Sequence, residues 1–515
     1  MSEKKLSRRE ALRAFGSLST AVLSSRVFPG LQSLRTPGVG PQKPNFIIIV
    51  FDAFSAAHMS LYGYGRRTTP HIEKFAGSAT TFQHAYSASN FTYPCTASLL
   101  TGVYPWSHRA LHFFELLSPA YERNNLFAFL SPTHRSQTYT HSIHVTNILE
   151  QFRSSIGLLK PIKDLVVFRT NPLEFRSRND TVVAEFAVKR WLEDYFSPSY
   201  SLFLSPLFTT LSTIVVPSEI NKNYQQLYPL GLSELEGYFF KMEDAINWII
   251  NSTRETQGPF LGYFHLLPPH ETYHPRVEFY NMFAGDGVGL PVKPTHFFSQ
   301  RWTQQDLENF CQRYDEYVAY VDAEFGRLVG HLEKQGTLEN SYLILTSDHG
   351  QLFERGIHAH DTPVMYESVI RVPLLIRAPG QKEAVNVSSP ISSVDIVPTI
   401  LRMAGQADHP DMEGRVLPSF GGTEDWERVI FSIYGRRNGR NVPLTTATLV
   451  AIQWPYKLIE YRGYQGLDGF VELFDLENDP DELRNLASEK PAIVAVLKEE
   501  LHKNQARAEE RSLKR

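Results

Sequence analysis

The chain has 515 residues, 42% of them hydrophobic and 21% charged, with a formal net charge of −4. That size accommodates one large domain with a satellite or a few ordinary domains, and the composition excludes a disordered chain. The charge gives no electrostatic reason to expect nucleic acid, and Cys95 and Cys311, the only cysteines, cannot build a disulfide framework or a cysteine-based zinc site, only a single disulfide at most.

In chain order, residues 1–44 read as a signal-like segment and linker. Ser7-Arg8-Arg9-Glu10-Ala11-Leu12 leads into a mildly apolar run, Ala11 to Ser24, that is too short to span a bilayer. The segment resembles a twin-arginine export signal, which implies a periplasmic destination. A basic N-terminal helix on a cytoplasmic protein is the alternative, favoured by the lack of an Ala-x-Ala cleavage site. Pro29 to Pro44 is a Pro/Gly-rich linker. No later run is long and apolar enough for a transmembrane span.

Asn45 to Phe51 is an unbroken apolar run ending at Asp52, the pattern of a central parallel strand buried on both faces. Tyr342 to Ser347 repeats it and ends at Asp348-His349-Gly350. Pro259 to Phe264 leads into His265 and then Pro269-His270. In such sheets ligands bind at the carboxyl ends of strands, so the first two strands deliver metal-capable side chains where a ligand is expected. Helical periodicity over Phe240 to Asn251 and Tyr314 to Gln335 precedes the third and second of these runs, and strand alternating with helix predicts an α/β layered fold. Phe113 to Leu235 loses this pattern and reads as an insertion shaping a cleft. Strand-like runs at Val429 to Ile433, Tyr456 to Tyr461 and Val471 to Phe474, then a charged helix from Pro491, predict a small antiparallel C-terminal subdomain. The expected boundaries are 1–44 for the leader, 45–423 for the catalytic domain with its insertion at 113–235, and 424–515 for the C-terminal part.

The segment Thr92-Tyr93-Pro94-Cys95-Thr96-Ala97-Ser98-Leu99-Leu100-Thr101-Gly102 resembles the sulfatase family of the alkaline phosphatase superfamily, whose members read Cys-x-Pro-Ser-Arg followed by a short helix ending Leu-Leu-Thr-Gly. Counting back from Leu99-Leu100-Thr101-Gly102 and forward from Phe82, Ala85 and Tyr86 both place Thr92 at the family's catalytic cysteine. Cys95 lies three positions late and lacks the arginine that formylglycine maturation normally needs, so it reads as a packing residue. Val50-Phe51-Asp52-Ala53, followed by Leu61-Tyr62-Gly63-Tyr64 and Thr69-Pro70-His71-Ile72, matches the family's opening segment, and Thr346-Ser347-Asp348-His349-Gly350 matches its second metal motif.

The resemblance implies an alkaline-phosphatase-like sandwich, with a mostly parallel central sheet flanked by helices. It also implies a hydrolase cleaving a sulfate or phosphate ester, with a divalent metal held by Asp52, Thr92, Asp348 and His349. A threonine hydroxyl is a poor nucleophile in water and needs such a metal and a helix N-terminus to act. Formylglycine sulfatases commonly carry a second Asp after the first and an arginine shortly after; here these positions are Ala53 and Ser55. A calcium cage of carboxylates is therefore disfavoured, and Mn or Zn is expected ahead of Ca or Mg. His270, in Pro269-His270-Glu271, resembles the family's Pro-His element. Together with His358 and His360 it is expected to bind the anionic ester or assist its departure, with His270 and His360 as catalytic groups. His108 is a weaker candidate, and His265 is expected to pack or hydrogen-bond at its strand end. Ser393 to Thr399, Glu413-Gly414-Arg415 and Glu472 to Pro480 read as structural matches. Alternatives at this stage are a phosphodiesterase or phosphonate hydrolase, a phospho-headgroup transferase, and an inactive pseudoenzyme binding anionic ligands.

Overall fold

The computed structural model describes residues 43–513 except 114, 170–221, 236, 408 and 440–441. The twin-arginine-like segment, most of the linker and residues 170–221 of the expected insertion lie outside the described residues.

The apolar run beginning at Asn45 forms β1 (Asn45–Phe51), the middle of an eight-stranded sheet. The other strands are β2 (Thr80–Phe82), β3 (Arg135–Thr140), β4 (Leu158–Leu159), β5 (Phe260–Leu266), β6 (Ser341–Ser347), β7 (Leu374–Arg377) and β8 (Val385–Val387), in the order β8-β2-β7-β6-β1-β5-β3-β4. β1 runs parallel to both β5 and β6, while β7 is antiparallel to its neighbours β6 and β2. The sheet is therefore mixed but mostly parallel.

Alternation of side chains across β1 explains why its run is continuous. Phe46, Ile48 and Val50 enter one core, and Ile47, Ile49 and Phe51 enter another on the opposite face. The first face is covered by α1 (Thr92–Thr101), through Tyr93, Ala97 and Leu100. The second is covered by α2 (Met242–Glu255), through Ile246 and Ile249, and α3 (Gln304–Lys334), through Val318, Val321, Phe325 and Leu328. Full burial of each such aliphatic side chain contributes about 1.5–3 kcal/mol, so this two-sided burial dominates the sheet's stability.

α3 starts well before the expected Tyr314 because Thr303 and Asp306 form a reciprocal capping box at its N-terminus. The expectation that Phe113 to Leu235 is an insertion is corrected for its first part. Arg135–Thr140 is an interior strand of the main sheet, pairing with Phe260–His265, and its polar composition (Arg135-Ser136-Gln137-Thr138-Tyr139-Thr140) hid it from a hydrophobic-pattern reading.

Beyond the sheet, α4 (Ile396–Met403) packs into the same core as α1. The C-terminal part is a four-stranded antiparallel meander, β9 (Ile430–Tyr434), β10 (Ala447–Gln453), β11 (Tyr456–Arg462) and β12 (Val471–Asp475). Its α5 (Pro491–Leu513) buries Leu497 and Leu501 with Leu449, Leu458 and Leu473. Cys95 and Cys311 are both free and buried, so the single disulfide allowed by the composition is not formed. Among the described residues no helix is long and apolar enough to cross a membrane.

Candidate active site

Three strands carry the site. In register, Phe51 pairs with Ser347 on β6 and with Leu266 on β5, so Asp52 and Asp348 leave their strands at the same level. Val50 pairs with His265, and side-chain parity puts His265, Asp52 and Asp348 on the face covered by α1. They therefore meet at the carboxyl edge of the sheet, beneath the N-terminus of α1, whose first residue is Thr92.

The strand-end turns are held closely. The Asp52 amide donates to the Leu266 carbonyl at 2.9 Å. Asp348 Oδ1 accepts from the amides of His349 (2.9 Å) and Ala53 (3.2 Å), which leaves Oδ2 facing the site. Gly350 has to be glycine: its amide reaches the Val369 carbonyl at 2.7 Å, and a Cβ there would lie 2.2 Å from the Ser368 carbonyl oxygen. At the other end of α1, Gly102 closes the helix in the left-handed conformation (φ 72°).

The donor atoms of Asp52, Asp348 and His349 all lie within 4.8 Å of one another. His349 Nδ1 is 2.8 Å from the Gly350 carbonyl, to which it donates, so Nε2 carries the lone pair turned inward. That Nε2 stands 3.4 Å from Asp52 Oδ1, 3.6 Å from Asp348 Oδ2 and 3.3 Å from Thr92 Oγ1. Both Asp52 oxygens and Asp348 Oδ2 are buried without a hydrogen-bond partner. Burial works to raise the Asp52 pKa, but His265, His270 and His349 around it bring it down to about 2; burial and the Asp52 charge push Asp348 up. Two buried carboxylates with orphaned oxygens beside an imidazole lone pair form a group that could hold a divalent cation. A second cluster, His58, Cys311 and Asp315, is equally compact. There Asp315 is already paired with His58 and Arg66, at 2.9 and 2.8 Å, and needs no cation.

His270 and His360 stand together beside this group, with ring centroids 4.8 Å apart, and His360 stacks on His349 at 4.6 Å. His270 Nδ1 lies 2.7 Å from the Glu271 carbonyl, and His360 Nδ1 lies 2.8 Å from Gln351 Oε1, so each turns Nε2 away from these partners. Their charge states diverge. Burial works against the cation in both, but Asp52, Glu271 and Asp348 raise the pKa of His270, whereas burial and the neighbouring histidines drive that of His360 well below the ordinary value. The loop carrying His360 is tied to the segment before Thr92 by Asn90, whose Nδ2 donates to the Thr362 carbonyl at 2.6 Å.

The remaining candidates separate from the site. His358 hydrogen-bonds Tyr273 at 3.0 Å and stacks on Phe310. His108 is buried against Ser98 Oγ at 3.0 Å and accepts from the Ala110 amide, a structural role. Cys95 is fully buried one turn after Thr92, and burial, then the Asp348 charge, raise its thiol pKa well above the usual value, which leaves it inert. His265, expected only to pack or hydrogen-bond at its strand end, stands beside Asp52 and Asp348, and Gln351, which the sequence did not signal, orients His360.

The sulfatase family profile matches residues 44–406. The chain belongs to the sulfatase family. A second profile, the N-sulphoglucosamine sulphohydrolase C-terminal region, matches 356–507. Arylsulfatase K of Canis lupus familiaris is 23% identical over 497 residues, spanning 90% of this chain and 83% of that protein. Choline-sulfatase of Rhizobium meliloti (strain 1021) is 24% identical over 473 residues, 86% of this chain and 82% of that one. Among solved structures, phosphonate monoester hydrolase of Agrobacterium radiobacter superimposes with a TM-score of 0.66 at 18% identity, covering 90% of this chain and 96% of that one. A structure in complex with its substrate D-glucosamine-2-N,6-O-disulfate gives 0.62 at 17% identity, covering 91% and 99%. These structures share the fold. This sulfatase-family chain is thus a hydrolase acting on ester bonds.

Proposed function

We propose that this sulfatase-family hydrolase is metal-dependent and cleaves an anionic sulfate or phosphate ester through a covalent ester on Thr92. The observation that carries the reading is the position of Thr92 Oγ1, 3.3 Å from His349 Nε2 and next to the orphaned carboxylate oxygens of Asp52 and Asp348. A divalent ion held by Asp52, Asp348 and His349 would offset charge developing on the ester's non-bridging oxygens and lower the pKa of the Thr92 hydroxyl. The mixed imidazole and carboxylate donors favour Mn or Zn over Ca or Mg.

The residues supply the rest. Thr92, at the N-terminus of α1, attacks sulfur or phosphorus in line, and its proton passes to the neutral Nε2 of His360. The bond to the leaving oxygen breaks as His270, whose protonated form its acidic neighbours favour, donates its proton there. His270, now neutral, takes a proton from the water that attacks the Thr92 ester, and Thr92 leaves, recovering its proton from His360. Both histidines end as they began. Preoriented groups, each imidazole held through its Nδ1, do this with little reorganisation.

Two features support activity over a pseudoenzyme: the retained Asp52, Asp348 and His349, and the opposed charge preferences of His270 and His360. Metal analysis, with assays on aryl sulfate, phosphate monoester, phosphodiester and phosphonate for wild type and Thr92→Ala, tests the reading. It predicts bound metal and turnover that depends on Thr92. A metal-free active enzyme would contradict it.

A further inference from the structure

Asp52 and Asp348 have a fourth neighbour that the reading above does not use. His265, at the end of β5, is fully buried, and its Nε2 has no hydrogen-bond partner. It stands 3.4 Å from Asp52 Oδ2 and 3.5 Å from Asp348 Oδ2. Both separations exceed an ordinary N–H···O bond of about 2.7–3.2 Å, and one Nε2–H could not serve two carboxylates equally. Donor atoms bound at about 2.0–2.1 Å to one ion are spaced roughly 3.0–3.5 Å apart, and His349 Nε2 keeps nearly the same distances, 3.4 and 3.6 Å, from the same two carboxylates. The two imidazoles thus approach the same acidic pair, His349 at Asp52 Oδ1 and His265 at Asp52 Oδ2, and both at Asp348 Oδ2.

The other nitrogen is also accounted for. His265 Nδ1 is 3.1 Å from the Tyr263 hydroxyl, a partner two residues back on the same strand face, and can donate to it, which leaves Nε2 with the lone pair. Ala53, which follows Asp52, contributes only its backbone here, the amide to Asp348 and the carbonyl to Tyr314. β5 supplies a further side-chain donor beside the acidic pair.

We propose that His265 Nε2 is a direct ligand of the divalent metal, so that the ion is held by two carboxylates and two imidazoles, with Tyr263 fixing the His265 tautomer. This rests on the metal-dependent reading above. Its consequence is selectivity: a second imidazole biases the site toward Zn and other nitrogen-preferring ions and against Ca.

The test uses the full chain loaded with Co2+. Each imidazole bound through Nε2 leaves an exchangeable Nδ1–H whose proton resonance the paramagnetic ion shifts far downfield. The wild type is expected to show two such resonances, and His265→Gln only one. Calorimetry should show Co2+ and Zn2+ binding weakened at least about tenfold in both His265→Gln and His265→Ala. A single shifted resonance in the wild type, or unchanged affinity in a variant that melts like the wild type, would overturn the assignment of His265 while leaving the three-residue site intact. Failure of the wild type to bind Co2+ at all would overturn the metal-dependent reading itself. The wild-type resonance count does not depend on either variant folding.

Discussion

Thr92 Oγ1 and His349 Nε2 face each other at 3.3 Å, one at the start of a buried helix and the other in the turn after a buried strand. Neither position is adjustable, since α1 is buried along its whole length and His349 is anchored through the Gly350 carbonyl. If the hydroxyl is the nucleophile, Thr92→Ala lowers turnover by about 10³-fold or more, while metal content and melting temperature stay near wild type. Thr92→Ser, which keeps the hydroxyl, retains measurable turnover. Steady-state kinetics with metal analysis on each variant checks this.

The divided protonation of His270 and His360 sets a pH dependence. The pKa of His270 is raised by Asp52, Glu271 and Asp348 in spite of burial, so it holds its proton below that raised value and loses it as pH increases. A rate that needs His270 as the acid is therefore sustained below that raised value and falls above it. His270→Gln lowers the rate by about 10²-fold or more and removes that alkaline limb. Metal binding adds positive charge beside Asp52 and Asp348, so the His270 pKa measured by NMR should drop on loading with metal.

Removal of metal should be felt in stability as well as rate. Without a cation, both Asp52 oxygens and Asp348 Oδ2 stay buried without partners. Chelation is expected to abolish turnover and lower the melting temperature, and Mn2+ or Zn2+ to restore both, with a stabilisation of about 2.7 kcal/mol at a hundredfold excess over Kd. His349→Ala should lose most of this metal-dependent shift. Calorimetric melts at several metal concentrations provide the check.

Asp395 carries a structural prediction. Fully buried, it accepts from both terminal nitrogens of Arg428 at 2.7 Å and from the amides of Ser392 and Arg415 at 2.9 and 2.7 Å, so it ties the segment before α4 to the entry of the C-terminal sheet. Asp395→Ala leaves the Arg428 guanidinium buried and unpaired, at a cost of about 3–5 kcal/mol. The site residues are untouched, so denaturant melts should shift strongly while kcat of the folded fraction stays close to wild type.

β1 and β6 could be read from the chain because the continuous apolar runs Phe46 to Phe51 and Tyr342 to Leu345 fit a doubly buried strand, and their terminal Asp residues then had to emerge at the ligand-binding edge. The main sheet lost β3 because Arg135–Thr140 carries no apolar run; β10, Ala447–Gln453, was missed although Leu449 to Ile452 is one. His265 was hidden for another reason. A lone histidine at the end of a buried strand is ordinarily a packed one, and only the β1–β5 register, which sets Val50 against His265, shows that it shares a face with Asp52. Gln351 gave no signal either, since its role exists only through the fold of the loop that brings His360 back to it.

The most direct test is to quench the enzyme in acid during turnover of an aryl sulfate, a phosphate monoester or a phosphonate, and to sequence the peptide spanning Thr92 and Cys95 by mass spectrometry. The covalent account predicts the added sulfuryl, phosphoryl or phosphonyl group on Thr92, with Cys95 an unmodified thiol. Full turnover with an unmodified Thr92, or a formylglycine at Cys95 carrying the adduct, would contradict it.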